Sequence, residues 1–319
     1  MGLFGSGGVS FKTAADIPSL AGKTILVTGG NSGLGKQSVL DFARYGQPSL
    51  IWLAGRNADR CQLAIDEIVP QLPSGSSTVI KPLVLDLTSF GSIRTAAQRV
   101  VTESSQLNIL MLNAGIMTTP PGLTADGYEI QFGTNHVGHA LLTKLLMPLL
   151  LQTAAQSKPD DLPRVVVLAS MGHKTAPGGE IIFDKLKSEQ LEINTLSRYG
   201  QSKLANVLFA RELAKRYKGQ LITASVDPGL VNTNLANPIM ESMLIARLVT
   251  PVVSKIFGQS PAEGAKGQLW AAMAKEVESG EYYGPAPGKK GYTKQPEKWD
   301  ALGEKLWGWT EKELEGVTL

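Results

Sequence analysis

The chain has 319 residues, of which 43% are hydrophobic and 18% charged, and its formal net charge is +3. A chain of this length can bury roughly 75% of its unfolded surface, so its core needs no disulfide or structural metal. The single cysteine, Cys61, agrees with that expectation. Lysines and arginines are scattered rather than gathered in a basic stripe, which argues against nucleic acid as a partner and favours a small molecule.

Residues 1–19 are predicted to form a flexible leader. They hold no apolar run flanked by basic residues and a small-residue cleavage site, and the chain has no Asn-x-Ser/Thr acceptor, so we expect a cytoplasmic protein. The opening MGLFGS fits the pattern for N-myristoylation, which would attach the protein weakly and reversibly to a membrane surface. A flexible tail without lipid is the alternative interpretation.

From residue 20 onward, apolar runs of strand length alternate with amphipathic stretches of helix length. This order predicts a single-domain α/β Rossmann fold over 20–285, with a doubly wound, mostly parallel sheet of about seven strands and helices on both faces. Six strands are predicted at 23–28, 49–54, 78–86, 107–113, 164–170 and 220–227. Helices are predicted between them at about 33–46, 57–70, 89–104, 124–151 and 198–218.

The glycines that follow the first strand indicate a nucleotide site. Gly29, Gly33 and Gly35 open a helix, where missing side chains let the backbone approach a pyrophosphate. Their spacing is G-x-x-x-G-x-G, and a tight turn needed only for packing is the alternative. In such sheets ligands bind beyond the carboxyl ends of the strands. Polar or turn-forming residues end the predicted strands or directly follow them there: Thr28, Asp86, Asn113, Ser170 and Pro228.

The end of the second strand favours NADP(H) over NAD(H). An acidic residue about 20 residues past the glycines usually binds the ribose 2′-hydroxyl of NAD, whereas an arginine accommodates the 2′-phosphate of NADP. Here the strand is followed by Gly55 and Arg56, and a guanidinium can bind a phosphate bidentately. Ser32 could add a hydroxyl donor. A solvated cation at a loop is the alternative interpretation of Arg56.

The longest apolar run, LLTKLLMPLLLQ at 141–152, carries Lys144 and is shorter than the ~20 residues that span a bilayer. We interpret it as a core or subunit-interface helix, in a protein that is a monomer or a homodimer. Membrane contact is possible but not favoured.

A tyrosine and a lysine lie one helical turn apart in YGQSK at 199–203, so Tyr199 and Lys203 share a helix face. A free phenol has a pKa of about 10, and lowering it to ~7 requires roughly 4 kcal/mol of preferential stabilisation of the phenolate. The Lys203 ammonium and a positive nicotinamide ring could supply that stabilisation. A chance pairing is the alternative, which the position of the pair before the last predicted strand disfavours.

Taken together, these patterns resemble the short-chain dehydrogenase/reductase family, particularly the branch of retinol dehydrogenases and related fungal oxidoreductases. The resemblance runs from about Leu20 to Pro285. The motifs that carry it are TGGNSGLG at 28–35, AGR at 54–56, LDLTS at 85–89, NAG at 113–115, TNHVGH at 134–139, LASMGH at 168–173, YGQSK at 199–203 and DPGLVNT at 227–233.

The resemblance implies four catalytic residues: Asn135, Ser170, Tyr199 and Lys203. In the reductive direction NADPH gives hydride to a carbonyl carbon while Tyr199 protonates the oxygen. Ser170 is expected to bind the substrate oxygen, and Lys203 the nicotinamide ribose. Asn135 is expected to hold a water that links Lys203 to solvent. Ser170 alone could be a strand-end hydroxyl, and Asn135 alone a buried amide.

The same resemblance implies which residues bind the coenzyme. Asp86 and Leu87 are expected at the adenine, and Asn113 to Gly115 beside the adenosine ribose. A helix cap and a turn are their alternative interpretations. The full set is Thr28, Gly29, Asn31, Ser32, Gly33, Leu34, Gly35, Arg56, Asp86, Leu87, Asn113, Ala114, Gly115, Tyr199, Lys203, Pro228, Gly229, Val231 and Thr233.

The substrate side is less well defined. The 28 residues between Ser170 and Tyr199 exceed what compact members of the family have, and they resemble the retinol dehydrogenase branch. Within 230–260 we predict a substrate lid, whose apolar helix at 239–257 could also be a dimer contact or a membrane-facing patch. A C-terminal tail at 286–319 is expected to pack near the substrate pocket.

The three histidines are not predicted to bind a metal. His136 and His139 are i and i+3, but no third ligand of recognisable spacing accompanies them, so packing is the better interpretation. His173, close to Ser170, is a candidate for the pocket lining.

These features predict an NADPH-dependent carbonyl reductase, reversibly an alcohol dehydrogenase, that acts on an apolar or aromatic ketone or aldehyde. Two alternatives remain open at this point. One is a cofactor-sensing or scaffold protein without useful turnover. The other is a lyase or epimerase that retains NAD, which the glycine spacing and Arg56 disfavour.

Overall fold

The structure is a computed structural model that describes residues 8–231, 259–291 and 296–319. Three sequence predictions lie outside these residues: the MGLFGS motif, coenzyme residue Thr233 and the apolar helix at 239–257.

Seven parallel strands form one sheet in the order β3-β2-β1-β4-β5-β6-β7. The predicted doubly wound parallel sheet is therefore confirmed. Because the strand order reverses between β1 and β4, a crevice lies beyond their carboxyl ends. The strands are β1 (Thr24–Thr28), β2 (Leu50–Gly55), β3 (Val79–Val84), β4 (Ile109–Leu112), β5 (Arg164–Leu168), β6 (Ile222–Val226) and β7 (Tyr282–Tyr283).

Helices cover both faces of the sheet. The helices are α1 (Thr13–Asp16), α2 (Gly33–Asp41), α3 (Ala58–Ile68), α4 (Phe90–Glu103), α5 (Ile130–Phe132), α6 (Gly138–Gln156), α7 (Thr195–Arg216), α8 (Pro261–Gly264), α9 (Lys266–Met273) and α10 (Pro296–Glu313). The core on one face of the sheet includes Leu26, Trp52 and Leu110 and is completed by α4, α6 and α7, with α10 packed outside α7. The core on the other face includes Ile25 and Ile51 and is completed by α2, α3 and α9.

Local sequence explains why these elements form. The five residues of β1 are all buried, as expected for a parallel strand covered on both faces. Asn57, Ser89 and Asn194 each precede a helix and accept a hydrogen bond from a backbone N–H of its first turn. Such caps satisfy donors that have no partner inside the helix.

The helix predicted at 124–151 differs from the observed one. Gly127, at φ +84°, belongs to a turn, and the helix begins only at Ile130, where the Glu129 side chain accepts from Phe132 N at 2.7 Å. A π-helical segment, Gly133–Val137, joins α5 to α6. One turn of this kind inside an α-helix is frequent at functional sites, and here it carries Asn135.

The segment from Ile130 to Gln156 is long and apolar enough to cross a membrane, unlike the shorter run considered in the sequence. However, 78% of its most apolar window is buried inside the fold. The core helix of a soluble protein has the same property, so this helix is weak evidence for a membrane span.

The described parts of the predicted leader and tail, residues 8–19, 286–291 and 296–319, include residues that pack on the rest of the fold. In the predicted leader, Phe11 and Ile17 are buried against the second face of the sheet. In the predicted tail, α10 packs on α6 and α7 through Trp299, Leu306 and Trp307. The division into leader, domain and tail stays a prediction.

Candidate functional site

The glycine turn lies at the crevice between β1 and β4. Gly29 and Gly33 have φ of +66° and +52°, a backbone region that favours glycine. A Cβ on Gly35 would lie 2.3 Å from Gly29 O and 2.5 Å from Asn113 Nδ2, so no larger residue fits. The turn thus brings bare backbone to the start of α2, as a pyrophosphate requires. Ser32 stands just before α2, and its hydroxyl makes no capping hydrogen bond.

A buried hydrogen-bond network fixes this turn. Thr28 Oγ1 lies 2.9 Å from His139 Nε2 and accepts from Ala114 N at 2.9 Å. Asn113 Nδ2 donates to Thr28 O at 2.8 Å. Thr28 and Asn113, both predicted to bind coenzyme, therefore use their side chains to join the ends of β1 and β4. The network reaches α6 through His139, which the sequence did not assign to the site.

His139 is held as a neutral side chain. Its Nδ1 donates to Asn135 O at 3.0 Å, which leaves Nε2 to accept from Thr28. Burial lowers the pKa of His139 to about 4, the hydrogen bond to Asn135 opposes this, and the charge of Lys203 adds to it. The histidine thus packs between the glycine turn and the catalytic helices.

The stability of the protein should fall as the pH drops from about 6.5 toward 4. The pKa of His139 is lower in the folded state than its ordinary value, so in this window the unfolded chain binds the extra proton and is favoured. Urea unfolding against pH should show a slope up to about 1.4 kcal/mol per pH unit from this residue. His139→Gln should reduce that slope, and equal slopes in both proteins would contradict the neutral assignment.

At the end of β2, Arg56 is exposed, and no ion pair to it occurs among the described residues. Gly55 is needed beside it, since a Cβ there would lie 2.7 Å from Cys61 Sγ and 2.8 Å from Asn31 Oδ1. The close packing places Asn31 of the glycine turn next to the strand end that carries Arg56.

Asp86 and Leu87 lie just beyond β3, separated from it by Leu85. Asp86 Oδ1 accepts from Thr88 N at 2.9 Å and from Thr88 Oγ1 at 2.7 Å, and the residue that caps the following helix is Ser89. Leu87 is buried, and a Cβ on Gly138 would lie 2.4 Å from Leu87 O. The start of α6 therefore packs on this strand end.

The structure brings the four predicted catalytic residues together. A Cβ placed on Gly172 would lie 2.8 Å from Tyr199 Cε1 and 3.3 Å from Ser170 Oγ, so these two side chains flank one point. Lys203 Nζ lies 5.7 Å from the centre of the Tyr199 ring and donates to Leu168 O at 3.0 Å. All of these groups lie at the carboxyl end of β5.

Asn135 completes the group. Its Oδ1 accepts from Ile116 N at 2.8 Å, and its Nδ2 donates to Ile116 O and to Ser202 Oγ, each at 2.9 Å. Ser202 in turn donates to Tyr199 O at 2.7 Å. A Cβ on Gly115 would lie 3.2 Å from Asn135 Oδ1 and 3.4 Å from Lys203 Nζ, so bare backbone separates the amide from the ammonium group.

The protonation of the pair differs from the expectation of a readily ionised phenol. Burial raises the pKa of Tyr199 to about 12, a hydrogen bond with Ser170 opposes the rise, and the charge of Asp227 adds to it. Burial lowers the pKa of Lys203 to about 8, and the charge of Asp227 opposes that change. Near neutral pH Tyr199 therefore carries its proton and Lys203 is largely charged.

The loop after β6 lies against the glycine turn. Gly229 has a φ of +76° and its N–H donates to Asp227 Oδ1 at 2.9 Å. A Cβ on Gly264 would lie 2.5 Å from Val231 Cγ2 and 2.9 Å from Leu34 Cδ2, so the two predicted coenzyme loops converge. Pro228 connects Asp227 to Gly229.

The segment between Ser170 and Tyr199 forms short turns that a buried ion pair holds. Arg198 Nη1 lies 3.2 Å from Glu129 Oε1, and both side chains are almost fully buried. Burial raises the pKa of Glu129, which backbone and Arg198 hydrogen bonds counteract. At the other end His173 Nδ1 donates to Ser170 O at 2.7 Å. These contacts anchor both ends of the segment beside the catalytic group.

Three residues of the site escaped the sequence analysis: His139, Ser202 and Asp227. Asp227 directly follows β6 and could have been found by the strand-end rule that identified Asp86 and Ser170. Ser202 and His139 each lie within a quoted motif, but only their contacts reveal a role.

The fold and these contacts define an oxidoreductase built on a dinucleotide-binding sheet, with a buried tyrosine and lysine at the carboxyl end of its strands. The short chain dehydrogenase family matches residues 23–158. An uncharacterized oxidoreductase of Schizosaccharomyces pombe is 36% identical over 310 residues, which cover 96% of this chain and 88% of the relative. Retinol dehydrogenase 14 of Homo sapiens is 37% identical over 303 residues, covering 91% and 85%.

Among solved structures, an uncharacterized protein from Mycobacterium paratuberculosis aligns with a TM-score of 0.70 at 29% identity, covering 95% of this chain and 97% of that one. The chain belongs to the short-chain dehydrogenase/reductase family, and it is of the retinol dehydrogenase-like kind. It is accordingly an oxidoreductase of small molecules, and the coenzyme of its family is NAD(P)(H).

Proposed function

We propose that this protein is an NADPH-dependent carbonyl reductase that converts an apolar or aromatic aldehyde or ketone to its alcohol, with Tyr199 as the proton donor. The observation that carries the proposal is the buried group formed by Ser170, Tyr199 and Lys203 at the carboxyl end of β5. The reaction is reversible, and the same residues serve alcohol oxidation.

The residues present fit a nicotinamide coenzyme. Bare backbone at Gly29 and Gly35 leaves room for a pyrophosphate, and Gly115 leaves room beside Lys203. NADPH, when bound, supplies the hydride. Lys203 would hold the ribose, and the loop from Pro228 to Val231 would lie at the nicotinamide end. The coenzyme set predicted above, including Thr233 outside the described residues, is part of this proposal.

Each catalytic side chain has one task. Ser170 donates to the substrate oxygen and orients the carbonyl, and Tyr199 protonates that oxygen as negative charge develops. The pKa of Tyr199, raised to about 12 by burial, keeps the phenol protonated near neutral pH and so favours reduction. Asn135 stays hydrogen-bonded to Ile116 and Ser202 and keeps the helix around Lys203 in place.

An apolar substrate is supported by the surroundings of the site. Met171 directly follows Ser170 and Leu230 directly follows Gly229, and these two apolar side chains are 56% and 69% exposed. Exposed apolar groups on both catalytic loops favour a substrate with a hydrophobic skeleton. The relative named for retinol, an apolar polyene alcohol, points to the same class.

Arg56→Ala should weaken NADPH binding by roughly 10- to 100-fold, because a charge-assisted contact to the 2′-phosphate contributes about 1.5–3 kcal/mol. The affinity for NADH should stay within about twofold, since NADH has no such phosphate. Titration of coenzyme fluorescence measures both constants. Arg94→Ala removes another exposed arginine as a control. An equal loss for both coenzymes would refute the NADP(H) assignment.

The direct test of the proposed function is NADPH consumption by purified protein over a panel of apolar, aromatic and polycyclic carbonyls, with retinal among them. We expect turnover with a hydrophobic subset and none with sugars. Tight NADPH binding without any turnover across the panel would favour a coenzyme-sensing role.

A cytoplasmic location, and a monomeric or homodimeric state, remain parts of the proposal.

A further inference from the structure

A buried carboxylate outside the predicted catalytic four joins the two loops of the site. Asp227 is 3% exposed and directly follows β6. Its Oδ2 accepts from Met171 N at 3.1 Å, and its Oδ1 accepts from Gly229 N at 2.9 Å. Met171 follows Ser170, so one side chain connects the loop of the proposed substrate donor with the loop expected at the nicotinamide.

A second set of contacts supports the same arrangement from β7. Tyr282 OH donates to Asp227 Oδ2 at 3.4 Å. The rings of Tyr282 and His173 pack edge-on with their centres 5.1 Å apart, and His173 Nδ1 donates to Ser170 O. The ring of Trp299 in α10 also packs edge-on against the His173 ring, with the ring centres 5.5 Å apart. Ser170 is thus fixed through both its own loop and the sheet edge.

Asp227 forms no ion pair with any described residue, and its oxygens accept from the backbone N–H groups of Met171 and Gly229 and from the Tyr282 hydroxyl. The titratable groups whose pKa is shifted by the charge of Asp227 lie on the elements packed around this residue. They are Tyr199 and Lys203 from α7, Tyr282 from β7, and His173, itself influenced by Lys174, from the turn after β5. At low local dielectric such a charge acts over several ångströms.

We propose that Asp227 is a positioning residue of the reduction, which holds the Ser170 and Gly229 loops together and places a negative charge near Tyr199 and Lys203. This inference rests on the proposed function. The charge of Asp227 acts in the same direction on both groups, since it raises the pKa of Tyr199 and the pKa of Lys203. Both groups must be protonated for reduction, so both effects extend activity toward higher pH.

The test is the variant Asp227→Asn, which keeps the size and one acceptor oxygen but removes the charge. The pH at which the reduction rate falls by half on the alkaline side should move down by roughly 0.5 to 1 pH unit. Asp41→Asn, which removes another buried carboxylate on α2, should leave that pH unchanged. Tyr282→Phe, which removes a contact but no charge, should also leave it unchanged.

A second measurement needs neither substrate nor turnover. The carbon-13 chemical shift of Lys203 Cε, assigned with the variant Lys203→Met, reports the protonation of the ammonium group directly. The pH midpoint of its titration should fall in Asp227→Asn by a similar amount. If Asp227→Asn does not fold, Asp227→Ser gives the same comparison with a small neutral acceptor.

The outcomes separate the two proposals. If a folded Asp227→Asn protein shows the same Lys203 titration midpoint and the same alkaline fall in reduction rate as the unaltered protein, the role of Asp227 is overturned. The proposal that the protein is a reductase would still stand. A shifted Lys203 midpoint in a protein that reduces no carbonyl would retain the electrostatic effect of Asp227 and overturn the proposed function.

Discussion

Tyr199→Phe should reduce the turnover number for carbonyl reduction by about a thousandfold, because general acid catalysis contributes typically 10²- to 10⁴-fold. The Ser170 hydroxyl flanks the same point, but its proposed task is to orient the substrate oxygen and not to protonate it. The substitution removes only the hydroxyl from a side chain that is 5% exposed, so packing in α7 should persist. NADPH affinity should stay within about threefold, since the phenol acts on the substrate oxygen.

Pre-steady-state NADPH oxidation separates this chemical effect from product release. Tyr217→Phe removes a hydroxyl from the far end of the same helix region and serves as the matched control, for which we expect unchanged turnover. A Tyr199→Phe enzyme that reduces a confirmed substrate at the rate of the unaltered enzyme would refute the proposed acid.

Gly35→Ala should abolish useful coenzyme binding, with a loss of NADPH affinity of at least about 100-fold. The added Cβ would overlap Gly29 O at 2.3 Å and Asn113 Nδ2 at 2.5 Å, so the turn must open and the bond from Asn113 to Thr28 must change. Overpacking of this kind costs about 1–3 kcal/mol of folding free energy as well.

Coenzyme fluorescence titration and urea unfolding measure the two effects of Gly35→Ala. Gly91→Ala is the matched control, because the nearest atom to its Cβ would be Ser89 Oγ at 3.7 Å, an ordinary contact. Unimpaired NADPH binding by Gly35→Ala would show that this turn does not hold the pyrophosphate.

The sheet was predictable because its strands are continuous apolar runs, and the glycine turn because it stands between such a run and a helix. The two residues of β7 were not, since Tyr282 and Tyr283 form too short a run to give a periodic pattern. The helix at the C-terminal side was also missed. We interpreted this tryptophan-rich region as a tail from its composition, although Trp299, Leu302 and Leu306 have the spacing of one helix face.

Within the site, residue type and order along the chain identified the four side chains that the structure brings together. Sequence could not give their protonation, because the pKa of Tyr199 depends on burial and on Asp227, a carboxylate 28 positions further along. Sequence also could not predict the ion pair between Glu129 and Arg198, because this pair forms only after the two helices have packed together. Long-range contacts of this kind depend on the fold as a whole.

The position of α10 has a consequence for how the protein folds. The last strand of the sheet ends at Tyr283, whereas the apolar surfaces of α6 and α7 are covered by Leu306 and Leu314 from further along the chain. A folding intermediate that has formed the sheet but has not yet docked α10 exposes these surfaces. Such an intermediate is prone to aggregation, because its apolar surface is open to other chains.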